Sequence, residues 1–351
     1  MKKIFFLAIV AATAIACSKS EDVYTPAEEI SFMPVSRIES KAAVEGTEFT
    51  ANQNFYVFAN TLTSDSQNNK KYFENILFVP LSGSTVDNPN VGGDNPLQVY
   101  HGSPTQYWPN VTALKFAGVT ASGNVNITVN GVTPAMSDDF NSMTLETYKQ
   151  PSPTIGDANN DLMYFFDDNS GTGYVKGTTA QVIPVMKHAC SWLTFNIQTV
   201  DELVNDTDDT KSYWKNFVVT NVSLKGLYES GKVTLTPNNV PNWDFTEMTA
   251  SSSVDVLNSE KKVKTTSSEF ANFAKNTIVI PQDPTELYVS YKYKTPAGVE
   301  IEETKEIDLT DYTVSWAAGK HYVYNLTVTA EEIKIAPAST DWVTIPSTED
   351  I

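Results

Sequence analysis

Apolar and polar residues alternate with a period of two along most of this chain. Such alternation places the apolar side chains on one face of a β-strand and the polar ones on the other. Most of the runs are short, rich in β-branched and aromatic residues, and separated by Gly, Asn and Pro. The clearest runs cover residues 55–59, 125–129, 217–224, 287–293 and 321–329. The pattern predicts an all-β protein built from antiparallel β-sandwiches.

The same pattern predicts how the chain is divided. A long alternating stretch, Gln181–Val200, opens a second series of strands, and Gly177–Ala180 before it has the composition of a connecting segment. We therefore place a domain boundary near residue 180, with one sandwich over residues 30–180 and another over residues 181–351. Only residues 268–276 have a spacing that favours a helix, of one or two turns.

The amino terminus resembles a bacterial export signal. Lys2 and Lys3 precede the run Ile4–Ala16, which is apolar except for Thr13, and Cys17 follows. The run is too short to form a permanent transmembrane helix. Residues 1–17 are therefore predicted to be a lipoprotein signal peptide with the lipid on Cys17, and residues 18–29 a polar tether. The alternative is an ordinary secretion signal that is cut beside a chance cysteine.

The net charge argues against nucleic acid as a partner, and the cysteine content argues against stabilisation by disulfides. The chain carries 42 Asp and Glu against 24 Lys and Arg, a net charge of -18. Because nucleic acid requires patches of Lys and Arg, it is not expected as a partner. If Cys17 is lipidated, Cys190 is the only remaining thiol, so no intramolecular disulfide can form. Cys190 lies in an alternating apolar run and is predicted to be a small core residue.

Sequence motifs for catalysis are not found. The three His residues, His101, His188 and His321, lack the spacing of metal ligands, and the chain has no nucleophile elbow, phosphate loop or Cys-x-x-Cys pair. Asp167–Gly171 resembles the start of a calcium loop, but Thr178 occupies the position of the closing Glu, which favours a surface turn. We therefore expect no metal, no cofactor and no enzymatic activity.

Several segments, in order, resemble the fimbrillin family of Bacteroidetes, the lipoprotein precursors of type V pili. Each segment alone is weakly specific, whereas their common order covers nearly the whole chain. They are Cys17, residues 30–32, a basic site between Arg37 and Lys41, and residues 55–59, 108–118, 161–164, 185–197, 316–326 and 341–342.

The resemblance implies two tandem transthyretin-like β-sandwiches and a mode of assembly. The precursor would be carried to the outer membrane by its lipid on Cys17, and a trypsin-like protease would cut after a basic residue. Arg37, the only arginine of the chain, is the expected processing site, with Lys41 as the fallback. The cut would release the first strand and open a sheet edge for a strand from the next subunit. The implied partners are other pilus subunits, the protease and a host or bacterial surface ligand.

The carboxyl-terminal tail is the expected source of the exchanged strand. Ile333, Ile335, Val343 and Ile345 alternate with polar residues, so each half of the tail could place one apolar face in a groove. The alternative is that the tail completes its own sandwich.

Two other functions remain compatible with the sequence. The first is a surface glycan-binding lipoprotein of a carbohydrate-uptake system, and the second is a surface glycoside hydrolase whose carboxylate pair the sequence does not identify. The leading hypothesis is a structural and adhesive pilus subunit.

Overall fold

Nearly all of the described chain is β-structure, as the alternation predicted. The computed structural model describes residues 27–36, 54–62, 70–87, 96–110, 112–120, 133–149, 161–177, 182–199, 218–246, 248, 250, 254–257, 261–262, 271–294, 297–312, 315–328 and 333–341. The helical structure within these ranges is a single 3-10 turn at Thr310–Tyr312. No helix in the described part of the chain is long and apolar enough to cross a membrane.

The strands are numbered in chain order. They are β1 (Ser31–Phe32), β2 (Val35–Ser36), β3 (Phe55–Leu62), β4 (Lys71–Asp87), β5 (Pro96–Ser103), β6 (Ala113–Thr120), β7 (Ala135–Met136), β8 (Met143–Lys149), β9 (Met163–Asp167), β10 (Val185–His188), β11 (Ser191–Thr199), β12 (Val218–Lys225), β13 (Ser230–Leu235), β14 (Asn242–Asp244), β15 (Val254–Leu257), β16 (Lys261–Lys262), β17 (Ala271–Val279), β18 (Glu286–Lys294), β19 (Glu300–Asp308), β20 (Lys320–Val328) and β21 (Ile333–Asp341).

The largest sheet has eight strands in the order β1-β5-β4-β3-β6-β9-β10-β2. Its two outermost strands, β1 and β2, follow one another in the chain. The short segment that contains them is therefore hydrogen-bonded to both edges of the sheet, antiparallel to β5 and parallel to β10. The sheet closes on itself through this segment.

A four-stranded sheet, β14-β13-β8-β7, packs against one face of the large sheet. Met143, Leu145 and Val233 from the small sheet pack with Ala117 and Tyr164 from the large one. Strands β7 and β8 precede residue 180 in the chain, whereas β13 and β14 follow it. Segments from both halves of the sequence thus share one sheet and one core.

The remaining two sheets form a sandwich. The first has the order β17-β11-β20-β21 and the second β15-β12-β18-β19, with β16 also paired to β12. Buried residues from both sheets, among them Phe195, Val222, Leu287 and Tyr324, form a continuous core. Strand β11 runs parallel to β20, with Trp192 opposite His321. Parallel pairing in the middle of this sheet depends on residues far apart in the chain.

The predicted long strand Gln181–Val200 is wrong in its extent. It is two strands, of which β10 pairs with β9 in the large sheet and β11 with β17 and β20 in the sandwich. The change from one sheet to the next falls at Ala189 and Cys190, both buried. Pro184, which lacks a ladder donor, directly precedes β10, so the first strand begins later than the predicted Gln181. The predicted domain limits and the transthyretin-like arrangement stay predictions.

The predicted helix at residues 268–276 is also wrong over the part that the structure describes. Residues 271–279 form β17, which pairs antiparallel with β11. Thr277, Ile278 and Val279 are buried. Pairing with β11 satisfies the backbone hydrogen bonds, and this tertiary gain outweighs the weak local preference of Ala271 and its neighbours for a helix.

Candidate functional site

The segment that closes the large sheet is the candidate functional site, and we call residues 28–36 the bridging segment. On one side, the Ile30 N–H donates to the Gln106 carbonyl at 2.8 Å, and the Trp108 N–H donates to the Glu28 carbonyl at 2.9 Å. On the other side, the Met33 N–H donates to the Val182 carbonyl at 2.9 Å. The segment therefore occupies the place of a full strand between two sheet edges.

Phe32 is the central anchor of the bridging segment. Its side chain is 0% exposed. The Phe32 ring meets Phe78 edge-on with 4.8 Å between ring centroids, and Phe116 edge-on at 5.1 Å. Phe55 and Phe165 lie next to it at 6.0 and 6.1 Å. Edge-to-face contacts are a favourable geometry for aromatic pairs, so Phe32 fills a pocket shaped for a ring.

The segment buries side chains on both of its faces. Ile30 packs with Phe32 in the core of the large sheet, whereas Met33 packs with Leu97 and Val99 in a separate small cluster. Burial of each such side chain contributes about 1.5–3 kcal/mol. The three apolar anchors hold the segment by hydrophobic contacts as well as by its backbone hydrogen bonds.

The groove around the segment is apolar and has few charged groups at its ends. Burial of Tyr100, which lies opposite Phe32 in the β1–β5 register, raises the pKa of its hydroxyl well above the usual range. At one end, the Glu29 carboxylate lies 3.7 Å from His101 Nδ1. Without the segment, the edges of β5 and β10 would be unpaired and would flank an aromatic pocket.

The structure places the predicted site residues as follows. Arg37 comes one residue after the end of β2, although Arg37 itself, Cys17 and Lys41 lie outside the described residues. Ile333 and Ile335 lie on β21, which is paired along its length with β20. Val343 and Ile345 lie outside the described residues. The assignments of all these residues stay predictions.

Sequence reasoning missed one wall of the groove. Val182, Val185 and Met186 hold the bridging segment on its β10 side, but the alternation placed them in the second half of the chain. Val182 and Met186 are 0% exposed and share the core of Ile30 and Phe32. Residues this distant in the chain meet only because β10 pairs with β9.

A buried pair of polar side chains, Asp161 and His188, lies at the β10 end of the large sheet. The Asp161 and His188 side chains are both 0% exposed, with 2.5 Å between Asp161 Oδ2 and His188 Nδ1. Cys190 is also buried, and desolvation raises the pKa of its thiol far above the usual value. A nucleophilic cysteine needs a depressed pKa, so the environment of Cys190 opposes catalysis and confirms it as a core residue.

The comparison with protein families decides which proteins this chain is related to. The fimbrillin-like family matches residues 40–342. The chain belongs to the fimbrillin-like family. This result confirms the resemblance expected from the sequence, and as a fimbrillin-like protein the chain is a subunit of a cell-surface pilus. No curated protein matches it.

Solved structures share the fold of this fimbrillin-like protein at low sequence identity. A fimbrial protein from Bacteroides vulgatus is 15% identical with a TM-score of 0.57, over 89% of this chain and 99% of that chain. A candidate cell adhesion protein from Bacteroides uniformis is 13% identical with a TM-score of 0.51, over 90% of this chain and 98% of that chain. A candidate cell adhesion protein from Bacteroides ovatus is 14% identical with a TM-score of 0.50, over 92% of this chain and 100% of that chain. At these identities the structures show the fold alone.

Proposed function

We propose that this fimbrillin-like chain is a precursor subunit that assembles by strand exchange. In this proposal it reaches the outer membrane through lipid on Cys17, and a trypsin-like protease cuts after Arg37 and releases the bridging segment. A strand of the next subunit then fills the groove. The observation that carries the proposal is the position of residues 28–36, whose two short strands pair with the two edges of the large sheet and which end directly before Arg37.

The geometry of the groove supports exchange rather than simple loss of the segment. Removal of the segment would leave the edges of β5 and β10 without partners. It would also expose the pocket that holds Phe32. Exposed strand edges pair readily with another chain, and apolar pockets along such an edge select which residues fit. An incoming strand must run antiparallel to β5 and carry a large apolar side chain at the position of Phe32.

The tail is the proposed donor because its apolar residues alternate. Ile333 and Ile335 form part of β21 in the isolated subunit, so their donation would require β21 to leave β20. Val343 and Ile345 follow β21 in the chain and could be donated while β21 stays in place. We therefore propose residues 342–351 as the first part of the tail to enter a neighbour. The alternative is that the whole tail completes its own sandwich and none of it is donated.

The proposed role is structural and adhesive, with no catalytic step. The burial of Cys190 and the raised pKa of its thiol support this. The family to which the chain belongs supports it as well.

Replacement of Arg37 by Ala tests the proposal. The Arg37→Ala precursor should stay full-length on the cell surface and form no polymer, because the bridging segment cannot leave. Lys41→Ala is the matched control, and it should be cut and should polymerise like the wild-type chain. The measurements are amino-terminal sequencing of the surface form and electrophoresis without heating, which preserves the polymers. Polymers of uncut Arg37→Ala subunits would refute release of the first strand.

A further inference from the structure

A separate cavity of about 430 Å³ opens where the large sheet meets the loops of the four-stranded sheet. Lys115 on β6, Phe166 on β9 and Lys187 on β10 form the strand side, and Phe140 and Asn238 lie on the loop side. Its volume falls in the range of about 300–1,000 Å³ that is usual for small-molecule sites. The bridging segment does not line the cavity, although Phe116, which does, also contacts Phe32.

The two lysines bring positive charge to a strongly acidic protein. Ala117 lies opposite Phe166 and Lys187 opposite Tyr164, so Lys115 and Lys187 flank Phe166 from its two neighbouring strands. Lys187 Nζ donates to the Pro237 carbonyl at 2.7 Å, and Lys115 Nζ lies 5.0 Å from the centre of the Phe140 ring. Among the described residues, neither ammonium has a carboxylate within 4.0 Å.

The nearby carboxylates are already engaged by the protein. Asp167 accepts hydrogen bonds from the Asn169 N–H at 3.0 Å and from the Tyr174 hydroxyl at 2.8 Å. Asp168 accepts one from the Gly171 N–H at 3.0 Å. These bonds fold the turn after β9. Asp168 and Asp139 still act on Lys115 through their charge, but neither carboxylate lies within 4.0 Å of its ammonium, so both ammonium groups can make a direct ion pair with an anionic group of a ligand.

Backbone strain marks the loop side of the cavity. Phe140 has a φ of 61°, in the left-handed region that a bulky side chain rarely adopts. Its buried ring lies under the Lys115 ammonium. Burial lowers the pKa values of both Lys115 and Lys187, and for Lys115 the charges of Asp168 and Asp139 act in the opposite direction. The strained loop thus holds an aromatic surface beside a partly desolvated cation.

We infer that this cavity binds a sugar that bears a carboxylate. The carboxylate pairs with Lys115 and Lys187, and the face of the sugar ring lies against the half-buried ring of Phe166. The Asn238 amide, which can donate and accept, meets the hydroxyl groups. An anion alone would need the cations but not the aromatic ring, and a neutral sugar would need the ring and amide but not the cations.

Calorimetric titration of the full lipidated chain in detergent tests this inference. The probes are glucuronic acid and N-acetylneuraminic acid, with glucose as the neutral sugar and acetate as the plain anion. At least one acidic sugar should bind with a Kd of about 1 mM or tighter. Glucose and acetate should each bind at least about tenfold more weakly, since each lacks one of the two recognised features.

Substitutions locate the site. Lys115→Met removes the charge but keeps the aliphatic stem, and it should weaken binding of the acidic sugar by at least about tenfold, whereas Lys115→Arg should retain binding. Lys305→Met is the control, because Lys305 pairs with Glu303 on β19 of the sandwich and does not line the cavity, and its affinity should equal that of the wild type. An unchanged melting temperature excludes misfolding of Lys115→Met. Absence of binding by both acidic sugars, equal binding of acetate, or full binding by folded Lys115→Met would each overturn the inference.

Discussion

Replacement of Phe32 by Ala should destabilise the precursor and leave the assembled pilus unaffected. Phe32 is 0% exposed and meets Phe78 and Phe116 at 4.8 and 5.1 Å between ring centroids. Truncation of a buried Phe to Ala costs about 3–5 kcal/mol, because apolar surface is lost and a cavity remains. The two edge-on contacts place Phe32→Ala in the middle of that range, at about 4 kcal/mol. Under the proposed cut at Arg37, Phe32 would leave with the bridging segment, so the mature wild-type and Phe32→Ala subunits would be identical.

Urea unfolding of the precursor without its signal peptide measures the loss. The midpoint should fall at an unchanged m-value, which identifies a change in stability rather than in the denatured state. Ser31→Ala is the matched control, since Ser31 lies on the same strand and is only partly buried, and its effect should stay within about 0.5 kcal/mol. Each 1.36 kcal/mol corresponds to a factor of ten in rate. A loss of about 4 kcal/mol would therefore speed detachment of the bridging segment from the groove of the uncut precursor by up to about a thousandfold.

Two results would refute the reasoning about Phe32. An unchanged urea midpoint for Phe32→Ala would show that the bridging segment does not stabilise the precursor. A pilus assembled from Phe32→Ala subunits that is less stable than the wild-type pilus would show that the segment stays in the mature subunit.

Three further predictions concern other parts of the chain. Cys17→Ser should accumulate as unprocessed precursor without incorporating labelled palmitate, and equal labelling would disprove lipidation at Cys17. Deletion of residues 342–351 keeps β21 whole, so the melting temperature of the monomer should not change while pilus extension stops; normal extension would exclude Val343 and Ile345 as donated residues. Burial beside Trp192 lowers the pKa of His321 from 6.5 to about 4, so its neutral form is favoured in the folded state. Stability should therefore fall by on the order of 2 kcal/mol as pH drops from 6.5 to 4, and His321→Gln should lose that part of the pH dependence in urea unfolding at each pH.

The sequence by itself determined the fold class, and it marked the segments on which the proposed assembly depends. Period-two alternation reports which residues share one face of a strand, and this is a local property that needs no knowledge of the partner strand. The run that contains Ile30 and Phe32, and the single Arg37 after it, were therefore visible in the sequence. The order of short segments was sufficient to predict the fimbrillin family.

Only the tertiary structure decided which strands pair. Residues 271–279 became a strand because β11 supplies the hydrogen-bond partner. Strand β10 joined the large sheet through β9, and β8 paired with β13 from the other half of the chain. The closure of the large sheet by the bridging segment depends on these same long-range pairings. Alternation does not specify such partners, because pairing depends on contacts between residues far apart in the chain, whose gain must exceed the entropy of closing the intervening loops.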